Sequence, residues 1–284
     1  MAHFRIVAIV LFGVWIISTG ALADGFGKSP LIPKGTVITI GVEESNSEWP
    51  PFEYYERVNG EKTDKLTGFT VEIITAIFEE QGLGLRIVKH PWKRLLKQLE
   101  EGNPVELIFP TSLNPERVEN YLVSDQVYSI TPTYFYLKDK FPKGLNLGMS
   151  NELLHFKPIC GKLGYNYVNF GISNDQVIRS SYNYDHLMDL LKHRRCEIIL
   201  ARYEILAAYA EIGNPYISEE VGFEPVPGVE QESFHYLISK RYQYGEKLLT
   251  IINRGLKNLK EQGQYQKLFE QYVQVIPRRA KVTR

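Results

Sequence analysis

The sequence predicts an α/β fold of two lobes, each a mostly parallel sheet flanked by helices, with two extended stretches crossing between them. Residues 36–109 alternate β-branched runs and apolar helical stripes in the order strand, helix, strand, helix, strand. The same rhythm returns between residues 158 and 212. Aromatic-rich extended stretches at residues 129–137 and 233–239 lie on either side of this second set. Alternation of this kind argues for parallel strands with crossover helices. Insertion of one set within the other argues for two lobes joined by two strands. A cleft between lobes is a preferred ligand site, and paired crossovers can serve as a hinge.

Each element has its own signal. Residues 36–42 (TVITIGV) form a β-branched strand. Phe69, Ile73 and Ile77, with Ile74 and Phe78 beside them, make one helix face that Gly82 ends. A short strand at 85–88 follows. Pro91 then opens a helix at its favoured first position, and Trp92, Leu95, Leu96 and Leu99 form its stripe up to Gly102. Residues 105–109 read as the third strand. In the second set, 158–163, 177–181 and 196–200 read as strands. Asp185 can cap a helix holding Leu187, Leu190 and Leu191, and another helix spans about 203–212. The C-terminal part is helical again, with Leu248, Ile252, Leu256 and Leu259 on one stripe and Tyr265, Leu268, Phe269 and Tyr272 on another.

The chain has 284 residues, 33 Lys+Arg against 33 Asp+Glu, and 44% apolar residues. These values exclude a disordered chain and a binder of nucleic acid by bulk charge. Aromatic residues make up 12%, with 18 tyrosines among them, enough to furnish a pocket as well as a core. Residues 1–23 read as a signal peptide: one early Arg, an almost unbroken apolar run over 6–18, and Ala21-Leu22-Ala23 at the cleavage spacing. The run is too short to span a bilayer. The expected organisation is a signal peptide at 1–23, a first lobe at 24–134, an inserted second lobe at 135–232, a return to the first lobe at 233–273, and a basic tail at 274–284.

Export makes Cys160 and Cys196 a candidate disulfide, with two buried thiols as the alternative. No glycine-rich phosphate loop, HExxH, GxSxG or Cys/His pairing occurs, and the six histidines show no metal spacing. No cofactor is expected.

Several motifs occur in a fixed order: Trp49-Pro50-Pro51-Phe52, Leu66-Thr67-Gly68-Phe69, Pro91-Trp92-Lys93-Arg94, Thr111-Ser112 with Arg117, and Ser124-Asp125-Gln126-Val127-Tyr128. Gly164-Tyr165-Asn166-Tyr167, Arg195-Cys196-Glu197 and Gly263-Gln264-Tyr265 follow. Together, over about residues 36–273, they resemble the extracellular solute-binding proteins of the polar-amino-acid ABC-importer type. The resemblance implies a type II periplasmic-binding-protein fold. It also implies a monomeric periplasmic protein that closes on an amino acid or organic anion and delivers it to an inner-membrane permease. A ligand sensor or a dehydratase-like enzyme on the same scaffold is the alternative.

The resemblance also assigns residues. Arg117 stands where the family binds the ligand's α-carboxylate, a role that suits a planar guanidinium fork. Thr111 and Ser112 supply hydroxyls beside it. Trp49 and Trp92 match aromatic walls, and Tyr165, Asn166 and Tyr167 are the second lobe's contribution. Glu43 and Glu44, after the first strand, could hold a cationic group. The family's ammonium-binding Asp falls at Arg202, which cannot accept a hydrogen bond. Either the ammonium is held elsewhere, by Glu43 or Glu44, or the ligand is not an α-amino acid; two arginines facing one cleft would favour a dianion or small organic acid. The Pro of the family's Phe-Ser-x-Pro-Tyr strand is also missing before Tyr128.

Overall fold

A computed structural model describes residues 31–44 and 48–273. The expected signal peptide and basic tail lie outside these residues. Among the described residues, thirteen strands and seven α-helices follow one another as β1 (Val37–Glu43), β2 (Tyr54–Val58), β3 (Glu61–Thr67), α1 (Phe69–Gln81), β4 (Gly84–His90), α2 (Trp92–Glu101) and β5 (Leu107–Ser112). Next come α3 (Pro115–Asn120), β6 (Tyr121–Val123), β7 (Tyr128–Ile130), β8 (Pro132–Leu137), β9 (Ile159–Lys162), β10 (Ile178–Ser181) and α4 (Tyr184–Lys192). The chain closes with β11 (Ile198–Arg202), α5 (Tyr203–Ala208), β12 (Val221–Pro225), β13 (Glu232–Ser239), α6 (Gly245–Glu261) and α7 (Gln264–Tyr272).

The first sheet has the order β4-β1-β5-β13-β6, with β7 also paired to β13. The strand–helix–strand units supply its parallel trio β4, β1 and β5, while β13 runs antiparallel to its partners. The second sheet repeats the plan in the order β10-β9-β11-β8-β12, with β10, β9 and β11 parallel and β8 antiparallel to both neighbours. The chain passes between sheets at Thr131 and again between Pro225 and Glu232. The sequence-based boundary at 134/135 therefore falls inside β8, because Pro132, Thr133 and Tyr134 already pair with β11.

Local signals account for most elements. The buried face of α1 is Phe69, Ile73, Ile74, Ile77 and Phe78, and Gly82 ends it in the left-handed conformation. Gly102 does the same for α2. Pro91 stands one place earlier than expected, as the residue before the first turn of α2. The cap of α4 is Asn183, whose side chain accepts from the His186 amide, rather than Asp185. The expected helix at 203–212 is α5 followed by a 3-10 turn at Tyr209–Ile212. The β2–β3 hairpin carried no apolar alternation and was not expected. A disulfide joins Cys160 on β9 to Cys196, just before β11.

Candidate functional site

The carboxyl ends of β1 and β5 open on a cavity of about 80 Å3 that the loop after β9 covers from the second sheet. Phe234 lines the cavity, and behind it Tyr128 and Phe52 stack in turn, with ring centroids 4.8 and 3.7 Å apart. Trp49 donates its indole N–H to the Tyr128 hydroxyl at 3.0 Å and meets Tyr165 edge-on at 5.6 Å. The turn carrying Trp49 and Phe52 is held by the start of α1. Phe69 and Thr70 amides donate to the Pro51 and Phe52 carbonyls, and the Thr70 hydroxyl donates to the Phe52 carbonyl. Gly68 makes this approach possible: its φ is 121°, and a Cβ there would lie 2.4 Å from the Phe52 oxygen. Two motifs separated in sequence thus form one structural joint.

Arg117 lies in the short α3, whose cap Asn114 accepts from the Arg117 amide. Its side chain returns to β5, where Nη1 donates to Thr111 Oγ1 at 2.9 Å and the Ser112 carbonyl at 2.6 Å. The guanidinium lies 5.4 Å from the Trp92 ring centroid. It is 7% exposed, and no carboxylate among the described residues forms an ion pair with it. Burial lowers its pKa to about 10, with Arg202 adding to the effect. It still carries a full charge at neutral pH.

Arg202 is different. It lines the cavity, but its Nε and Nη2 donate to Glu232 at 2.7 and 2.9 Å, and Nη2 also reaches the Asn166 carbonyl. Burial opposes its charge, yet the Glu232 carboxylate overcomes burial and raises its pKa. Both arginines thus face the cavity, but the charge of Arg202 is already paired with Glu232, while Arg117 has no carboxylate partner among the described residues.

The acidic groups fall on the other walls. Glu43 accepts from the Tyr165 hydroxyl at 3.5 Å. Glu48 lines the cavity but is engaged by Arg57, Lys62 and the Tyr55 amide. Glu53 also lines the cavity, and its Oε2 is buried with no hydrogen-bond partner among the described residues. Burial and the nearby Glu43 carboxylate push the Glu53 carboxyl well above its ordinary range.

The expected residues Arg117, Thr111, Ser112, Trp49, Trp92, Glu43, Tyr165, Asn166 and Arg202 all line this cavity. Glu44 and Tyr167 do not. Glu43 ends β1 and lines the cavity, whereas Glu44, the first residue past the strand, is exposed. Tyr167 folds back onto Gly161, where a Cβ would sit 2.3 Å from its ring, and its hydroxyl accepts from the Lys162 amide. It belongs to the second sheet's core. Asn166 lines the cavity while its side chain donates to the Leu113 carbonyl and accepts from the Val168 amide. Glu53, Tyr55 and Phe234 are lining residues that sequence reasoning missed. The alternation of Glu53 and Tyr55 just after the Pro-Pro-Phe turn was the available signal.

A family model for bacterial extracellular solute-binding proteins, family 3, matches residues 38–275. The chain belongs to this family. It is a solute-binding protein, and the interlobe cavity is the cleft of its fold. An arginine-binding periplasmic protein of Mannheimia haemolytica is 22% identical over 246 residues, covering 84% of this chain and 94% of that one. The substrate-binding protein of an amino acid ABC transporter superposes with a TM-score of 0.64 at 22% identity, covering 83% of this chain and 98% of that chain. A histidine-bound ABC uptake transporter substrate-binding protein of Streptococcus pneumoniae also gives 0.64, at 19% identity over 83% of this chain and 92% of that one. An ancestral amino acid-binding protein, described as a precursor of cyclohexadienyl dehydratase, gives 0.62 at 19% identity over 84% and 96%. The family and its curated relative are binding proteins.

Proposed function

We propose that this solute-binding protein captures an α-amino acid, with a cationic one such as arginine the first candidate, and delivers it to an ABC-importer permease. The observation that carries the reading is Arg117, a buried guanidinium with no carboxylate partner among the described residues and only Nη1 engaged by protein. Its remaining donors suit a ligand carboxylate, held as a charge-assisted pair worth about 1.5–3 kcal/mol. Glu43 and Glu53 supply negative character for an ammonium or cationic side chain, the role that Arg202 cannot fill. The curated relative's name, an arginine-binding protein, agrees with this charge arrangement. The protein acts as a monomer in the periplasm after cleavage following Ala23, and it releases its ligand chemically unchanged.

A thermal-shift screen against the amino acids and small dicarboxylates tests the reading. A true ligand at about a hundred times its Kd stabilises by about 2.7 kcal/mol. Arg117→Ala is expected to weaken an amino-acid ligand by tenfold or more. An unchanged shift in that variant removes Arg117 from the site, and a response to dicarboxylates alone overturns the amino-acid reading. Chromatography of the bound ligand after prolonged incubation checks for turnover.

A further inference from the structure

Glu53 is the least expected group in the cleft. Its backbone is fixed by a two-way bridge with Trp49, the Trp49 amide donating to the Glu53 carbonyl at 2.9 Å and the Glu53 amide returning to Trp49 at 3.0 Å. That places the side chain on the cavity wall beside Glu43. No lysine or arginine among the described residues forms an ion pair with it. Around it stand Glu43 from β1, the Thr70 hydroxyl from α1, the Tyr128 phenol from β7 and the Tyr236 phenol from β13. These neighbours offer one negative charge and three hydroxyls; the buried Lys162 ammonium of β9 acts on Glu43 and is not among the charges that act on Glu53. Burial, with Glu53 beside them, pushes both phenols well above their ordinary range, so they stay protonated. Two carboxylates in one dry site do not both ionise without a cation between them.

We propose that Glu53 is a proton-exchange residue for ligand capture: it holds a proton in the unliganded protein and gives it up when the ligand's cationic group docks between Glu53 and Glu43. This rests on the amino-acid reading above and adds to it. The exchange balances simply. The Glu53 O–H bond breaks, its proton passes through the cleft mouth to buffer, and the new carboxylate accepts an N–H from the ligand's ammonium or guanidinium. No electron is transferred. The consequence is a preference for cationic ligands that weakens in acid, because the ligand then competes with a proton for Glu53.

Titration calorimetry with L-arginine, in buffers of different ionisation enthalpy, measures the proton count directly. The wild type is expected to release close to one proton per arginine at about pH 5.5. Its affinity should rise up to about tenfold per pH unit from there and flatten once Glu53 ionises in the free protein. Glu53→Gln keeps the size and hydrogen-bonding capacity but removes the proton. It should release none, bind arginine at least about tenfold more weakly, and lose the pH slope. Glu53→Asp should restore release. A wild-type count of zero between about pH 5 and 7.5 overturns the proposal without any variant. So does a Glu53→Gln protein with wild-type count and slope. If arginine fails to bind while another amino acid does, the exchange is wrong and the amino-acid reading stands. If no amino acid binds, both fall.

Discussion

Lys162 shows how much the environment of one residue can alter. It is 1% exposed, with its ammonium donating to the Tyr165 hydroxyl at 2.7 Å and lying 4.2 and 4.9 Å from the Tyr165 and Tyr184 ring centroids. Burial lowers its pKa to about 8, although Glu43 opposes the shift. Below about pH 8 the lysine is charged in both the folded and unfolded chain, and folding carries the full burial cost. Between about 8 and 10.5 the folded protein loses the proton first, so this group's contribution to stability rises with pH through that window. Lys162→Met should therefore be more stable than the wild type at pH 7 by about 2 kcal/mol, after allowing for the lost bond to Tyr165. Urea unfolding at pH 7 and pH 10 should show that margin shrinking. A constant margin would contradict the buried-amine account.

At the scale of elements, the joint between the Pro-Pro-Phe turn and α1 decides where Trp49 and Glu53 point. The joint depends on Gly68, whose φ of 121° and 2.4 Å approach to the Phe52 oxygen leave no space for a side chain. Gly68→Ala is expected to destabilise by about 2 kcal/mol or more and to weaken ligand binding through displacement of the turn. Denaturant unfolding and calorimetry of the same variant test both effects, and a change below about 0.5 kcal/mol would show that the turn can yield. The helices themselves were legible in sequence because Gly82 and Gly102 stop them and their apolar stripes have helical spacing. The β2–β3 hairpin was not legible. Its strands are largely polar, and its position depends on Arg57 and Lys62 reaching Glu48, contacts that local periodicity does not encode.

Across the whole molecule, protein groups alone tie the second lobe to the first. The Tyr209 hydroxyl donates to the Glu48 carbonyl at 2.5 Å, Tyr165 reaches Glu43, and Asn166 donates to the Leu113 carbonyl at 3.3 Å. At the crossovers, Glu204 accepts from the Thr131 amide and hydroxyl, and Arg202 pairs with Glu232. A ligand bound between the lobes would add its own contacts to this set. Tyr209→Phe removes one buried bond, worth about 1 kcal/mol, and should shift the closed-to-open ratio about fivefold toward open. Small-angle scattering of the ligand-free variant should report a larger radius of gyration, and affinity should fall by a similar few-fold factor. An unchanged radius and affinity would mean that this contact does not govern closure.

The sequence by itself determined the two strand–helix–strand sets, their insertion order and the motifs that line the cleft. These follow from apolar periodicity, glycine stops and residue order, all of which are local. Only the tertiary structure decided which neighbours of those motifs face the ligand space. The end of β1 separated Glu43 from Glu44, and Gly161 drew Tyr167 away from Tyr165. The approach of β11 to β13 gave Arg202 its counter-ion, Glu232. Glu53 acquired its unusual carboxyl because burial beside Glu43 leaves it without a cation. Charge state in a buried site depends on what folding brings within a few ångströms, and residue order along the chain does not record that distance.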